Sequence, residues 1–468
     1  MDSLLCDELI QEIFQKLPAP SSSAVSLVSK RWLRLYRTSK TALSLRLSDH
    51  DSSVSSLSSL LSHYPFLSSL SILSADSTAA TAATLSAQIL SEIRNFCTKL
   101  RSLRLLAGPV ARSSLVSLSS ACNRLNSLSI SISRPLNFRW VVNFPALRSL
   151  SISVSSGEGF ETGLNYGDWE WETEELGLQS LCLSGLRAGD WGAGWLWRSC
   201  KNLRQLRLRG CETVGDGGSF SSFVECLPDL REVELRTCRS IADGVLLKLV
   251  ENCRNLTSLL VYDGGSREGL LQFLSHHRSN LQTLDLRLPL DLDNEHLVAI
   301  ATNLRTSLSS LRLQSCCLVT GDGLKAISAT FGSRLEELAL INCDVVERES
   351  GLLATMGQSL KKLKRLDLSY NEMLLDKDFI SMIVSCNSLT DLNLRGCKCL
   401  TEAAIVAVLK SCKNLDTIDI VHCSGIQAKT VELSILNLPK LRLLKVEEDK
   451  VYDVVRTSAS RRFIDIVF

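Results

Sequence analysis

Leu203-Arg204-Gln205-Leu206-Arg207-Leu208-Arg209-Gly210-Cys211 holds the pattern on which the reading of all 468 residues turns. Leucine at the first, fourth and sixth places and cysteine at the ninth return almost unchanged from Leu230, Leu308, Leu335 and Leu389. Weaker copies begin at Leu67, Leu100, Leu125, Leu147, Leu178, Leu256, Leu281, Leu363, Leu415 and Leu441. From Leu178 onward the first leucines lie 25 to 28 residues apart, whereas the earlier, serine-rich copies are spaced by 22 to 33.

A unit of about 20–29 residues with this spacing is a leucine-rich repeat. The alternation at Leu206 and Leu208 buries one face of a short strand and turns Arg207 and Arg209 to the other. In Thr401 to Cys412 the apolar positions Ile405, Val408, Leu409 and Cys412 fall on one helical stripe. The fold class predicted is therefore α/β, a leucine-rich-repeat solenoid with a curved parallel sheet inside and helices outside. No single unit encloses its own apolar face, so neighbours must stack and the ends must be sealed. This divides the chain into a helical N-terminal segment at 1–47, the solenoid at 48–446 and a C-terminal cap or tail at 447–468. An acidic insertion around 157–177, carrying Trp169 and Trp171, should leave the solenoid as a loop.

Bulk properties exclude several classes. A net charge of +2 with a pI near 7.8 provides no general attraction to nucleic acid or anionic membranes. No window has the roughly 18 apolar residues of a membrane span, and the acidic start does not read as a secretory signal. A soluble protein of the cytoplasm and/or nucleus is expected, with no nucleic-acid or membrane partner. Of the 17 cysteines, Cys211, Cys238, Cys316, Cys343, Cys397 and Cys423 sit eight residues after their unit's first leucine. Another six, Cys97, Cys122, Cys200, Cys253, Cys386 and Cys412, sit three residues before the next one. They read as small buried residues in repeat slots, so no disulfide, metal or cofactor is expected. The six histidines form no catalytic constellation, and Gly215-Asp216-Gly217-Gly218 reads as the opening of a repeat helix, not a phosphate loop. The chain is expected not to be an enzyme.

Before the repeats, Leu5, Leu9, Ile10, Ile13, Phe14 and Leu17 form an apolar stripe at helical spacing that stops at Pro18 and Pro20, and Val25, Val28, Trp32 and Leu35 form a second. LCDELIQEIFQKLP and SLVSKRWLRL resemble the opening helix and closing signature of the F-box family, with Cys6 where that family usually has proline. Joined to the repeats, they make the chain resemble the F-box/leucine-rich-repeat proteins of the cysteine-containing subtype. The resemblance implies a substrate-recognition subunit of an SCF (Skp-cullin-F-box) ubiquitin ligase, bound to a Skp-type adaptor and through it to a cullin. Carried over by position, Leu5, Leu9, Ile10, Ile13, Phe14, Leu17, Val28 and Trp32 become the core and adaptor-facing residues. The alternative is a non-catalytic scaffold or inhibitor with a vestigial F-box. A small molecule completing the concave face is a further variant.

An unknown protein substrate is expected on the concave strand face, where Arg207, Arg209, Arg236, Arg287 and Arg312 would form a basic patch for acidic or phosphorylated groups. The competing reading makes them solvated strand residues partly neutralised by Glu234 and Asp285. Trp169 and Trp171 form a second candidate substrate surface, and Trp195 reads as helix packing.

Overall fold

A computed structural model describes residues 5–17, 22–47, 52–74, 79–155, 174–217, 220–288 and 291–468. Three short helices come first: α1 (Asp7–Lys16), α2 (Ser22–Val28) and α3 (Lys30–Ser39). The chain then divides into two compact units, Met1–Leu227 and Pro228–Phe468.

In the first unit the strands are β1 (Ala42–Leu47), β2 (Ser69–Ser74), β3 (Ser102–Pro109), β4 (Ser127–Ile132), β5 (Ser149–Val154), β6 (Ser180–Ser184) and β7 (Gln205–Arg209), each parallel to the next. The ladder begins at Ala42, so its first strand falls inside the segment that the sequence pattern assigns to the N-terminal module. In β4 and β5 the apolar residues are buried and Ser127, Ser129, Ser131, Ser149, Ser151 and Ser153 occupy the other face. The serine-rich early copies are thus true repeats whose open strand face is mainly serine, with Arg104 of β3 a charged exception between Ser71 and Ser129.

The second unit continues the same construction with β8 (Glu232–Arg236), β9 (Ser258–Tyr262), β10 (Thr283–Arg287), β11 (Ser310–Gln314), β12 (Glu337–Ile341), β13 (Arg365–Asp367), β14 (Asp391–Asn393), β15 (Thr417–Asp419), β16 (Leu443–Lys445) and β17 (Asp465–Val467). Register places Leu259, Leu284, Leu311, Leu338, Leu366, Leu392, Ile418 and Leu444 side by side in one apolar row. All of these are essentially fully buried. At about 1.5–3 kcal/mol for each large aliphatic side chain, the row is a large contribution to the stability of the stack. Helices such as Ala242–Asn252, Arg267–His276 and Glu402–Ser411 cover it from the other side. Thr401 caps the last of these, its hydroxyl accepting from the amide of Ala403. The C-terminal residues form a helix, Asp453–Arg461, and then β17, which pairs with β16 and extends the ladder.

The repeated ninth place acts as a polar latch between coils. The Cys397 thiol donates to the carbonyl of Leu368 at 3.1 Å and the Cys423 thiol to that of Leu394 at 3.0 Å, each one coil back. Asn371 fills this slot in its own repeat and binds three backbone groups. Its Nδ2 donates to the carbonyls of Leu340 and Leu368 at 2.8 Å each, and its Oδ1 accepts from the amide of Cys343 at 2.9 Å. The second cysteine series links to itself: Cys122 donates to the carbonyl of Cys97 and Cys412 to that of Cys386, both at 3.5 Å. Burial pushes the thiols of Cys97, Cys200 and Cys412 up to about 12, and those of Cys122 and Cys386 up to about 11. These cysteines are structural, and the described ones are all free thiols.

Two outcomes follow from the slots. Asn371→Leu should lower stability by about 3 kcal/mol or more, because three buried backbone groups lose their partner while the volume is kept; urea unfolding of the whole chain measures it. Alkylation with iodoacetamide near about pH 8 should modify the exposed Cys6 and Cys317 well ahead of any slot cysteine, as read by peptide mass spectrometry.

Candidate partner-binding surfaces

The N-terminal helices are built around α3, which packs against both α1 and α2. Ser29 caps α3 by accepting from the amide of Trp32 at 3.1 Å. Arg31 ties the start of α1 to α3, donating from Nε to Asp7 Oδ1 at 2.9 Å and from Nη2 to the carbonyl of Leu5 at 2.8 Å. Cys6 precedes α1 in an extended conformation with φ −72°, inside the range proline occupies, so the missing proline does not prevent the helix from starting.

The eight predicted adaptor-facing residues separate into distinct roles. Ile10 is wholly buried and, with Val25 and Leu35, forms the core of the module. Phe14 and Trp32 are half-buried and meet edge to face with ring centroids 5.5 Å apart, and Phe14 meets Tyr36 in the same way at 5.8 Å. Leu5 and Leu17 are also half-buried. Leu9, Ile13 and Val28 are exposed at 49%, 38% and 57%. Leu27, 86% exposed, joins them and was missed by reading stripes alone. Its signal was that it is a large aliphatic residue off the Val25–Val28–Trp32 stripe. Leu9 and Ile13 lie one helical turn apart on α1, and Leu27 and Val28 close α2, so both helices leave aliphatic side chains uncovered.

On the strand faces, charge is paired rather than massed. Arg207 and Arg209 lie on β7 of the first unit, in register with Cys182 and Ser184 of the mainly serine face. The other three predicted arginines lie on the second unit. Arg236 Nε donates to Glu234 within its own strand. Arg287 grips Asp285 with two bonds of 2.9 and 2.7 Å. Arg312 lies among three carboxylates, 3.2 Å from Asp367, 3.7 Å from Asp285 and 3.8 Å from Glu337. Glu337 is bound in turn by Arg365 at 2.7 Å. Burial alone would push Glu337 up; the hydrogen bonds from Arg365 and Ser310, with the charges of Arg365 and Arg312, outweigh it and hold the carboxyl below its usual range. Farther along, Asp419 is 3.5 Å from Arg395 and 3.7 Å from Lys445. A shallow groove of about 150 Å³ runs across these residues, also lined by Asp391 and Asn393. Glu337, Arg365 and Asp391 escaped the sequence reading because only two of the three outward places on each strand were considered. The second unit's face is therefore a mixed ladder of acids and bases. Trp169 and Trp171 lie outside the described residues. Trp195 is buried in the short helix Ala193–Ser199.

An F-box domain model matches residues 3–38, the stretch that spans these three helices. Residues 3–38 are an F-box domain. Joined to the ladders behind it, this domain makes the chain an F-box followed by leucine-rich repeats. Solved structures similar to the chain include the complex of Rad7 and Elc1 in yeast, at 14% identity and a TM-score of 0.43, covering 98% of this chain and 92% of that chain. The leucine-rich repeat-containing protein LegL7 from Legionella pneumophila is 13% identical with a TM-score of 0.38, over 52% of this chain and 84% of that one. An internalin (inlF) from Listeria monocytogenes is 15% identical with a TM-score of 0.35, over 88% and 97%. At these scores the fold assignment rests on the ladders and their register, not on the likeness.

Arg312→Gln should cost about 1–3 kcal/mol at neutral pH, since Asp285, Asp367 and Glu337 lose a shared cation at a half-buried site. Arg312 is one of the charges that hold Glu337 below its usual range, so removing it raises that carboxyl, and the deficit should shrink as the pH falls toward the usual carboxylate range and Glu337 protonates. Urea unfolding of both proteins at about pH 7 and about pH 4.5 tests the sign.

Proposed function

We propose that this chain is the substrate-recognition subunit of an SCF (Skp-cullin-F-box) ubiquitin ligase and is itself non-catalytic. The observation that carries the reading is an F-box domain whose aliphatic residues Leu9, Ile13, Leu27 and Val28 remain exposed while Ile10, Val25 and Leu35 fill its core. A module that served only to plug the repeat stack would turn such residues inward. A Skp-type adaptor would cover this surface and link the chain to a cullin, in the cytoplasm and/or nucleus.

In this reading a protein substrate is held by the strand face. The paired charges of the second unit favour recognition by exchange: an incoming acidic group draws on Arg312 or Arg365, and an incoming basic group on Asp367 or Asp419. Selectivity then comes from matching the spacing of charges along the ladder rather than from net attraction. Arg207, Arg209, Arg236 and Arg287 remain part of the proposed substrate surface, as do Trp169 and Trp171. The domain limits of 1–47, 48–446 and 447–468 belong to the same reading as functional divisions.

Co-purification of the full chain with a Skp-type adaptor tests the assignment. Leu9→Ser combined with Leu27→Ser should weaken adaptor binding at least about thirtyfold, the equivalent of roughly 2 kcal/mol for lost interface anchors. Both residues are exposed, so the melting temperature should hardly change. Adaptor binding unaffected by the pair, or no adaptor binding by the unaltered chain, would favour a scaffold or inhibitor with a vestigial F-box.

A further inference from the structure

The first unit departs from its own repeat between β4 and the end of that unit. The outer layer there is reduced to single turns at Arg139–Asn143 and Phe223–Cys226 and the seven-residue helix Ala193–Ser199. The thinned layer leaves a cavity of about 660 Å³, within the size range of small-molecule sites. Pro135, Leu136 and Trp195 give it an apolar lining, and Trp191 stands at it 57% exposed.

Charge in the described lining comes from Arg139, Arg198 and Asp216. Both carboxylate oxygens of Asp216 are screened from solvent, as is Nδ2 of the neighbouring Asn137, so these atoms meet no ligand. Arg198 differs. Its guanidinium makes a single hydrogen bond, from Nη1 to the Ser222 hydroxyl at 2.7 Å, and no ion pair among the described residues. Nε and Nη2 of Arg198 are left without a protein partner there and are not among the screened atoms. Ser222 Oγ accepts the bond from Arg198, and its own proton has no acceptor among the described residues.

Gly194 fixes the direction in which this pair faces. It lines the cavity with them, and a Cβ at Gly194 would lie 3.2 Å from Ser222 Oγ and 3.7 Å from Arg198 Nη1. The hydroxyl and the guanidinium therefore border the space that the missing side chain leaves open. The walls around it are fixed independently of any ligand. Arg134 grips Asp190, next to Trp191, through two bonds of 2.6 and 2.8 Å. The amide of Ala193 donates to the carbonyl of Gly215 at 3.0 Å, joining the two loops that carry Trp191 and Asp216. The Trp191 ring lies so close to Gly217 that a Cβ there would come within 2.6 Å of it.

We propose that this cavity binds a small aromatic carboxylate, with its anionic group on Arg198 and Ser222 and its ring against Trp191 and Trp195. A planar carboxylate accepts two parallel N–H bonds from one guanidinium, and the Ser222 hydroxyl supplies a further donor beside them. The flat apolar body follows from the tryptophans and Leu136. Arg139 adds a second positive charge to the lining, which favours an anion over a neutral molecule. The proposal is independent of the adaptor assignment.

The probe is 2-naphthoate, with 2-naphthamide as the neutral molecule of the same shape. In isothermal titration calorimetry on the full chain, 2-naphthoate should bind saturably below about 1 mM and 2-naphthamide roughly tenfold more weakly. Arg198→Gln should abolish that preference. Gly194→Ala keeps both donors and should weaken 2-naphthoate several-fold, because the added methyl fills the space they border. Trp191→Leu should weaken both probes alike. Thermal melts show which variants are folded; if Arg198→Gln is not, Gly194→Ala decides alone. The proposal is overturned by absence of saturable binding, by equal affinity for the two probes, by a preference that survives Arg198→Gln, or by undiminished 2-naphthoate binding in Gly194→Ala.

Discussion

Everything in this protein depends on the lateral burial of one coil against the next. A strand of three to eight residues with leucine on one face cannot exclude water from that face alone, and the helix behind it covers only one side. Setting Leu284 beside Leu311, and Leu311 beside Leu338, turns separate stripes into a shared core. Stability is therefore distributed along each unit, and every coil relies on its neighbours. The same dependence explains why the C-terminal residues form a further strand on the ladder: an apolar edge left open would need some other cover.

Polar groups are admitted to that core only where the backbone needs them. The ninth place of the repeat faces carbonyls that the short parallel ladder leaves without partners, and a thiol or carboxamide can reach them while filling little volume. Cysteine gives a weak donor compatible with close packing, whereas Asn371 gives two donors and an acceptor and binds three groups at once. The choice between them is one of hydrogen-bonding capacity at constant size, which is why a chain rich in cysteine needs neither disulfide nor metal to account for its slots.

The exposed faces obey the opposite logic. On the F-box, aliphatic residues that could have closed a core are left facing outward, while on the strand face of the second unit every predicted arginine has a carboxylate within reach. A basic patch would pull indiscriminately on any anion. A paired ladder must give up one contact to form another, so any binding there would depend on geometry. In the first unit the open faces of β4 and β5 carry serine instead of charge.

The repeat period, the strand faces, the helix stripes and the structural role of the cysteines were legible in the sequence alone, because each follows from spacing along the chain: two residues per strand alternation, three to four per helical stripe, and one slot per coil. The two helical stripes before the repeats were legible for the same reason, whereas the F-box entered as a family resemblance carried by LCDELIQEIFQKLP and SLVSKRWLRL. What only the tertiary structure decided lies between coils. Which of the F-box aliphatic residues face outward depends on how three helices pack, so Ile10 and Leu9, adjacent in sequence, have opposite fates. Whether Arg312 is free or held depends on Asp285 and Asp367, 27 and 55 residues away, brought near by register. The meeting of Asn137, Trp191 and Asp216 around one cavity is a consequence of shortened helices in separate repeats, and no local pattern encodes a distance between residues that share neither a strand nor a helix.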